Sequence, residues 1–315
     1  MKSGDSKSYR SAGQNGLTFI LIFFNLLFLL VPIPAYSDSL KEAEVSLQTF
    51  KPVEILKLNW GTGPGQVGLA RLPGFTYGPQ SLMADEDRNI FYLLDSANSR
   101  LLAFDRNRTL INSLATDEMA KDIALDDEGT LYVLYTGLNK VITYDFSGLK
   151  KAEYLLKDQK SPLKGIHYSK EKGLLGETFG GFSFLVEPKT SGRGKQQEAG
   201  LKFNGFYRQG STFLIERKTD SASLKILDSR GNTLRKINIA KKHRKIETVN
   251  FLGLDSKKNI YVAVEEESGP KDLKRVLKKL DFSGVILAES EIPYSLLTDT
   301  FRDLRLGDSG QVYQI

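Results

Sequence analysis

Short apolar runs separated by polar turns cover most of this chain, and the pattern is clearest in residues 81–114. Four apolar runs alternate there with a turn, a loop and a second turn, which predicts four antiparallel strands in a meander. The runs at residues 90–94 and 131–135 are apolar or aromatic at every position. An exposed sheet would alternate apolar and polar residues, so these strands are predicted to be covered on both faces.

The same unit recurs along the chain, and two sets of turns give its period. Turns between the first and second predicted strands are marked by Asp85, Asp126, Ser169, Gln209, Asp255 and Gly307, at steps of 40 to 52 residues. Turns between the third and fourth strands are marked by Asp105, Asp145, Glu187, Asp228 and Asp281, at steps of 40 to 53 residues. A period of about 40–45 residues with four strands per repeat is typical of a β-propeller.

The number of units predicts a ring of six. Complete units begin near Ser81, Asp122, Gly165, Phe203 and Phe251, and a sixth unit that begins near Asp303 has only two strands. Two further predicted strands, residues 45–50 and 53–60, precede the first unit. We therefore predict an all-β fold, a six-bladed β-propeller with four-stranded antiparallel blades. The last blade is closed by the N-terminal strands, which leaves no exposed sheet edge.

One segment also fits a helix. In residues 271–282, Leu273, Val276, Leu277 and Leu280 have the spacing of one helical face. The phase of the repeat favours a strand that ends at Leu280.

The amino-terminal residues predict export. A basic stretch, residues 1–16, precedes an apolar run, residues 17–31, and small residues follow the run. This order is typical of a signal peptide. We predict a signal peptide over residues 1–37 and a propeller over residues 38–315, in the periplasm or outside the cell. The alternative is an uncleaved membrane anchor.

Composition excludes several kinds of function. The chain has no cysteine, so disulfides, thiolate nucleophiles and cysteine metal sites are excluded. It has two histidines, which argues against a histidine-rich zinc site. The net charge of +6 is mild and does not predict nucleic-acid binding. No Gly-x-Ser-x-Gly motif is present, so a serine hydrolase of that type is not expected.

A family resemblance is carried by the first unit and the link before it. The glycine-rich link at residues 61–68 is followed by a proline, an apolar strand, an Asp turn and a loop with Asp95, Asn98 and Arg100. This order looks like an NHL-type repeat, and we expect the three loop residues to fix the loop. The chain resembles the TolB-like group of six-bladed propellers, near the NHL and SMP-30 gluconolactonase-like families. The resemblance implies the fold but no single function, because this fold hosts many functions.

Candidate ligand-binding residues lie just before each predicted first strand, where we expect the mouth of the central channel. They are Lys121, Asp122, Lys164, Asn204, Asn250, Arg302 and Asp303. The basic members would suit an anionic ligand such as a carboxylate or an acidic sugar. His167 lies in a predicted first strand, where it could face the channel and act as a base. The alternative for all of these residues is a structural or solvated role.

The resemblance to gluconolactonase-like propellers implies another use of the same positions. Asp122, Asn204, Asn250 and Asp303 would then hold Ca²⁺ through oxygen atoms. Water activated by the metal would open a lactone ring.

We expect a non-catalytic binding or scaffold module that recognises a protein or glycan partner in the cell envelope. No cofactor and no nucleic acid are expected, and the membrane would be contacted only through the N-terminal segment if it stays uncleaved. The alternative is the metal-dependent lactonase or a related hydrolase.

Overall fold

The computed structural model describes residues 18–25, 47–156, 161–188, 201–240, 245–269, 272–294 and 298–315. The regular structure in these ranges consists of strands and two short 3₁₀ turns, at Ser96–Asn98 and Thr136–Leu138. In the same ranges, no helix has the length and apolar character needed to cross a membrane.

Four strands precede the first blade. Strands β1 (Thr18–Asn25) and β2 (Lys51–Asn59) pair with each other, and β3 (Ala70–Leu72) and β4 (Phe75–Tyr77) form a short hairpin.

Five blades follow, and each contains four consecutive antiparallel strands. The first blade contains β5 (Ser81–Asp85), β6 (Ile90–Asp95), β7 (Arg100–Asp105) and β8 (Leu110–Ala115). The second contains β9 (Asp122–Leu125), β10 (Leu131–Tyr135), β11 (Lys140–Tyr144) and β12 (Lys150–Leu155). The third contains β13 (Leu163–Ser169), β14 (Gly173–Thr178), β15 (Ser183–Pro188) and β16 (Lys202–Phe203). The fourth contains β17 (Phe206–Arg208), β18 (Ser211–Arg217), β19 (Ala222–Leu227) and β20 (Thr233–Ala240). The fifth contains β21 (Lys245–Leu254), β22 (Ile260–Gly269), β23 (Asp272–Leu280) and β24 (Ile286–Ile292). The segment that also fitted a helix is therefore a strand, β23, as the repeat phase predicted.

The last sheet differs from the prediction. Strands β25 (Leu304–Leu306) and β26 (Val312–Gln314) lie in a four-stranded sheet with the order β2-β1-β26-β25. We predicted that two strands within residues 45–60 would complete it, but only β2 does so, and β1 takes the place between β2 and β26. Gln48 instead forms a parallel bridge with Ala288 of the fifth blade. Its N–H donates to Leu287 O at 3.2 Å, which covers the outer edge of β24.

The number of blades is thus five where each blade is built from consecutive strands, rather than the six that we predicted. A count of six depends on how the last sheet is interpreted. Its N-terminal strand β1 falls in the segment for which we predicted a signal peptide.

Two-sided burial explains why the strands lack alternation. In β10, the side chains of Leu131, Val133 and Tyr135 belong to an apolar cluster shared with the first blade. Those of Tyr132 and Leu134 belong to a separate cluster shared with the third blade. Successive side chains of a strand point to opposite faces of the sheet. A blade packed between two neighbouring blades therefore needs apolar residues at both odd and even positions of its strands.

Five of the seven aspartates that mark the turns share one local geometry. In each, Oδ1 accepts hydrogen bonds from the backbone N–H groups two and four residues later. The aspartates that do so are Asp105, Asp126, Asp228, Asp255 and Asp281. Aspartate suits these turns because its carboxylate binds the free N–H groups of a tight turn.

Asp95 anchors the glycine-rich link to the first blade. Its carboxylate is fully buried and accepts from Gly68 N at 2.8 Å, Asn98 Nδ2 at 2.8 Å and Arg100 Nε at 2.9 Å. Arg100 and Asn98 also donate to four carbonyl oxygens of the link. We predicted that these three residues fix their own loop. They also hold the preceding link against the blade.

We expect Asp95→Asn to lower the free energy of unfolding by about 3–5 kcal/mol, because it leaves the Arg100 guanidinium without its buried counterion. Urea unfolding followed by circular dichroism measures this. Asp105→Asn is the control, because Asp105 lies in a half-exposed turn and asparagine retains an acceptor there, so a loss of under about 1 kcal/mol is expected. Equal losses in the two variants would contradict the role given to Asp95.

Candidate functional site

A cavity of about 410 Å³ lies among the first strands and first turns of all five blades and of the last sheet. Its lining therefore comes from every sheet around a common axis. The aliphatic part of the wall consists of Met83, Leu125, Leu252, Leu254 and Leu306. The surrounding first turns include exposed residues such as Asp87, Asp127 and Asp308, so the cavity opens at the end of the channel where these turns lie.

Asp122 is the centre of a buried polar network at the deep end. Its carboxylate is fully buried, accepts from Ser81 Oγ at 2.6 Å and from Ile166 N at 2.8 Å, and pairs with two arginines. Arg302 Nη1 is 3.1 Å from Oδ2, and Arg305 Nη2 contacts Oδ1. A buried carboxylate needs such partners, because its desolvation is costly without them.

Glu177 continues the network. Arg208 Nη2 lies 2.5 Å from Glu177 Oε1, and Arg302 Nη2 lies 3.5 Å from Glu177 Oε2. Arg302 therefore contacts both buried carboxylates, those of Asp122 and Glu177. Burial alone would raise the pKa of Glu177. Arg208 and Arg302 together outweigh this effect and hold the pKa well below its usual range.

The wall of the cavity is positively charged at this end. Arg208, Arg302 and Arg305 line it, whereas their partners Asp122 and Glu177 do not. The cluster therefore has three guanidinium groups and two carboxylates. Burial and the neighbouring Arg302 lower the pKa of Arg305 to about 10, so Arg305 remains charged at neutral pH.

His167 of β13 also lines the cavity. Its imidazole is half-buried beside the arginines. Burial and then the charge of Arg208 lower its pKa well below the usual value, so the ring is neutral at pH 7. Its role as a base remains a prediction.

The open end carries the opposite charge. Seven carboxylates of the first turns line it, against the two basic side chains Arg88 and Lys170. The carboxylates are those of Asp85, Glu86, Asp87, Asp126, Asp127, Glu171 and Asp308. We did not predict this acidic mouth, because each turn was interpreted only as a turn. The sum of charges over the six first turns would have revealed it.

The predicted basic residues lie in different places. Arg302 lines the cavity, but Lys121 and Lys164 do not. Lys121 Nζ donates to Gln80 Oε1 at 3.1 Å and lies 4.6 Å from the ring centre of Tyr77. Lys164 Nζ lies 5.0 Å from the ring centre of Phe206, and burial lowers its pKa to about 8. The lining therefore lies closer to the first turns than most of the predicted residues, whose role in binding stays a prediction.

The residues predicted as alternative metal ligands have other contacts. Asp122 is paired with Arg302 and Arg305, and Asp303 is paired with Arg275. Asn204 is exposed and Asn250 is half-buried. Where the chain is described, no three Asp, Glu or His side chains form a group able to hold a metal ion. A cation at Asp122 would have to displace two guanidinium groups, so these contacts do not favour the Ca²⁺ site, which stays a prediction.

No protein-family model matches the chain, and no curated protein matches it. Among solved structures, hydrazine synthase from Kuenenia stuttgartiensis is similar, with 14% identity and a TM-score of 0.49 over 79% of this chain and 75% of that chain. A streptogramin B lyase has 11% identity and a TM-score of 0.43, over 75% and 90% of the two chains. Virginiamycin B lyase from Staphylococcus aureus has 11% identity and a TM-score of 0.42, over 75% and 94%. Likeness at this level concerns the fold alone, so function is argued from the cavity.

We expect His167 to make stability depend on pH below about 6.5, the usual pKa of histidine. The unfolded chain takes up a proton there and the folded chain does not. The free energy of unfolding therefore falls by about 1.4 kcal/mol for each unit by which the pH is lowered. His167→Gln should remove this part of the slope between about pH 6.5 and 5 in urea unfolding at stepped pH. His243→Gln, at the one other histidine, measures any contribution from that residue. An unchanged slope in His167→Gln would contradict the assignment.

Proposed function

We propose that the last sheet is a sixth blade that closes the ring. Two apolar clusters support this. Leu304 and Val312 pack with Tyr261 of the fifth blade. Leu56 of β2 packs with Leu82 of the first blade. The sheet is thus covered on both faces, and the Arg302 N–H donates to Gln80 O at 2.9 Å next to the first blade. The 40-residue period and the loop at Asp95 support a place in the TolB-like group with NHL-type repeats.

Closure can be tested on β2, where a buried and an exposed residue are adjacent. Leu56 is 2% exposed and Lys57 is exposed. Leu56→Asp should lower the free energy of unfolding by about 4 kcal/mol or more, because it buries an unpaired charge between two blades. Lys57→Asp should change it by about 1 kcal/mol or less. Chemical unfolding measures both variants, and a harmless Leu56→Asp would contradict a packed sixth blade.

We also propose that the chain is exported, on the basic, apolar and small-residue order of residues 1–37. Cleavage before Asp38 would remove β1, which lies between β2 and β26. Strand β2 would then have to pair with β26 directly. The N-terminal sequence of the exported protein decides this: a start at Asp38 supports cleavage, and a chain that retains residues 18–25 contradicts it.

We propose that the propeller is a binding module that holds a small group of its partner, a protein or a glycan of the cell envelope, in the axial cavity. The observation that carries this proposal is the cavity itself. Its volume of about 410 Å³ lies within the range of ligand sites, about 300–1,000 Å³. Ligand sites combine apolar side chains with convergent polar groups, and this cavity has both, although its charged side chains outnumber its five large aliphatic ones.

Binding without turnover suits the groups at the deep end. Arg208 and Arg302 are each held by a buried carboxylate, and Arg305 is held by Asp122. These groups are fixed before a ligand arrives, which lowers the entropic cost of binding. The lactonase alternative needs free oxygen ligands, and the observed ion pairs do not favour it.

A ligand that occupies the cavity should raise the melting temperature of the wild type but not that of Leu252→Trp, which fills the cavity from its wall. A thermal-shift screen with small acids, amines and neutral sugars measures this, because binding to the folded state stabilises it. Leu149→Trp, at a side chain 60% exposed and outside the cavity, is the control and should respond like the wild type. The proposal fails if no compound raises the melting temperature of Leu149→Trp more than that of Leu252→Trp. It also fails if the purified protein hydrolyses lactones or esters.

A further inference from the structure

Two cavity-lining groups have hydrogen-bonding capacity that the protein does not use. Arg305 donates from Nε to Leu82 O at 3.0 Å and from Nη2 to Ser81 Oγ and to Asp122. Its Nη1 makes no hydrogen bond within the described part of the chain. Neither ring nitrogen of His167 does so within the same residues, although His167 lies on the cavity wall. A guanidinium edge and a neutral imidazole thus face the cavity with free positions.

The buried cluster at the deep end has one more positive than negative charge, so it would attract one further anion. Three guanidinium groups line the cavity, and two carboxylates behind them neutralise only part of their charge. Nε and Nη2 of Arg305 are already used by the protein, so a carboxylate would accept a charge-assisted hydrogen bond from the free Nη1. One carboxylate would bring the cluster to three cations and three anions.

The aliphatic part of the cavity wall indicates what the remainder of the ligand, beyond its anionic group, would be. Met83, Leu125, Leu252, Leu254 and Leu306 surround the space between the arginines and the mouth. Aliphatic side chains in this position favour an apolar chain, because its transfer from water is favourable. A strongly hydrated body would lose its hydrogen bonds there.

The acidic mouth selects against multiply charged anions. Seven acidic and two basic side chains line the mouth, so the local potential opposes the entry of a phosphate or an acidic polysaccharide. A single carboxylate with an apolar body meets less of this repulsion.

We propose that the axial cavity binds an amphipathic monocarboxylate, with the carboxylate on Arg305 and His167 and the apolar body against the aliphatic wall. This proposal rests on the proposed function, because it names the ligand class of the same cavity.

Hexanoate, hexanamide, hexylamine and inorganic phosphate are suitable probes, measured by isothermal titration calorimetry on the intact chain. Hexanoate should bind at least about tenfold more tightly than hexanamide, since only the carboxylate brings a negative charge that pairs with the guanidinium groups. Hexylamine and phosphate should bind more weakly still. His167→Gln should weaken hexanoate by several-fold through loss of the imidazole contact.

A charge-reversal variant gives the sharper test. Met83→Glu adds a carboxylate to the cavity wall and breaks no ion pair, so hexanoate affinity should fall by at least about tenfold and hexylamine affinity should rise. Met119→Glu is the matched control, because Met119 is 57% exposed and lies outside the cavity, and hexanoate binding should be unchanged. A native unfolding transition in both variants excludes misfolding as the cause.

The outcomes separate the two levels of the proposal. If hexanoate and hexanamide bind equally, or phosphate binds most tightly, the monocarboxylate is wrong. If another compound class stabilises the wild type but not Leu252→Trp, the cavity is still a binding site and only the ligand class fails. If nothing binds the cavity, both proposals fail.

Discussion

The carboxylate of Asp122 joins four sheets at the axis of the propeller. Asp122 belongs to the second blade, and its partners come from the first blade (Ser81), the third blade (Ile166) and the last sheet (Arg302 and Arg305). A buried charge is costly unless all of its partners are in place. The network is therefore satisfied only when these sheets stand in the observed order and register, and the apolar clusters between the sheets supply the bulk of the stabilisation.

The same network determines the chemistry of the cavity. Arg302 reaches from Asp122 to Glu177, and Glu177 holds Arg208 of the fourth blade. The carboxylates lie behind the guanidinium groups, so positive charge is presented to the cavity although most of it is compensated. The groups that specify how the sheets meet are thus also the groups that would meet a ligand.

The sequence predicted most of the fold because the signals for it are local. An aspartate turn such as that at Asp255 forms from five neighbouring residues, and a strand covered on both faces, such as β10, is visible as an unbroken apolar run. The last sheet was predicted only in part. An apolar segment such as residues 17–31 has the same pattern in a signal peptide and in a buried strand, so the pairing of β1 was not foreseen.

The site was less predictable, because it depends on contacts between distant residues. Asp122 and Arg302 were expected at the channel, but Arg208 and Arg305 stand in three-residue strands and have no spacing that marks them. The extent of the cavity was not predicted either, because it depends on side-chain packing. Lys121 contacts Gln80 and Tyr77, away from the cavity, and no sequence pattern reports such contacts.

An excess of one buried positive charge would couple the binding of an anion to the stability of the fold. In the free protein, the guanidinium groups that face the cavity repel one another, and this repulsion lowers the pKa of Arg305 in addition to the effect of burial. An anion on these groups would neutralise the excess and would bind the folded chain but not the unfolded one. Its free energy of binding would therefore add to the free energy of unfolding. Without such an anion, the residual positive charge lowers the free energy of unfolding, and apolar packing between the sheets offsets this loss.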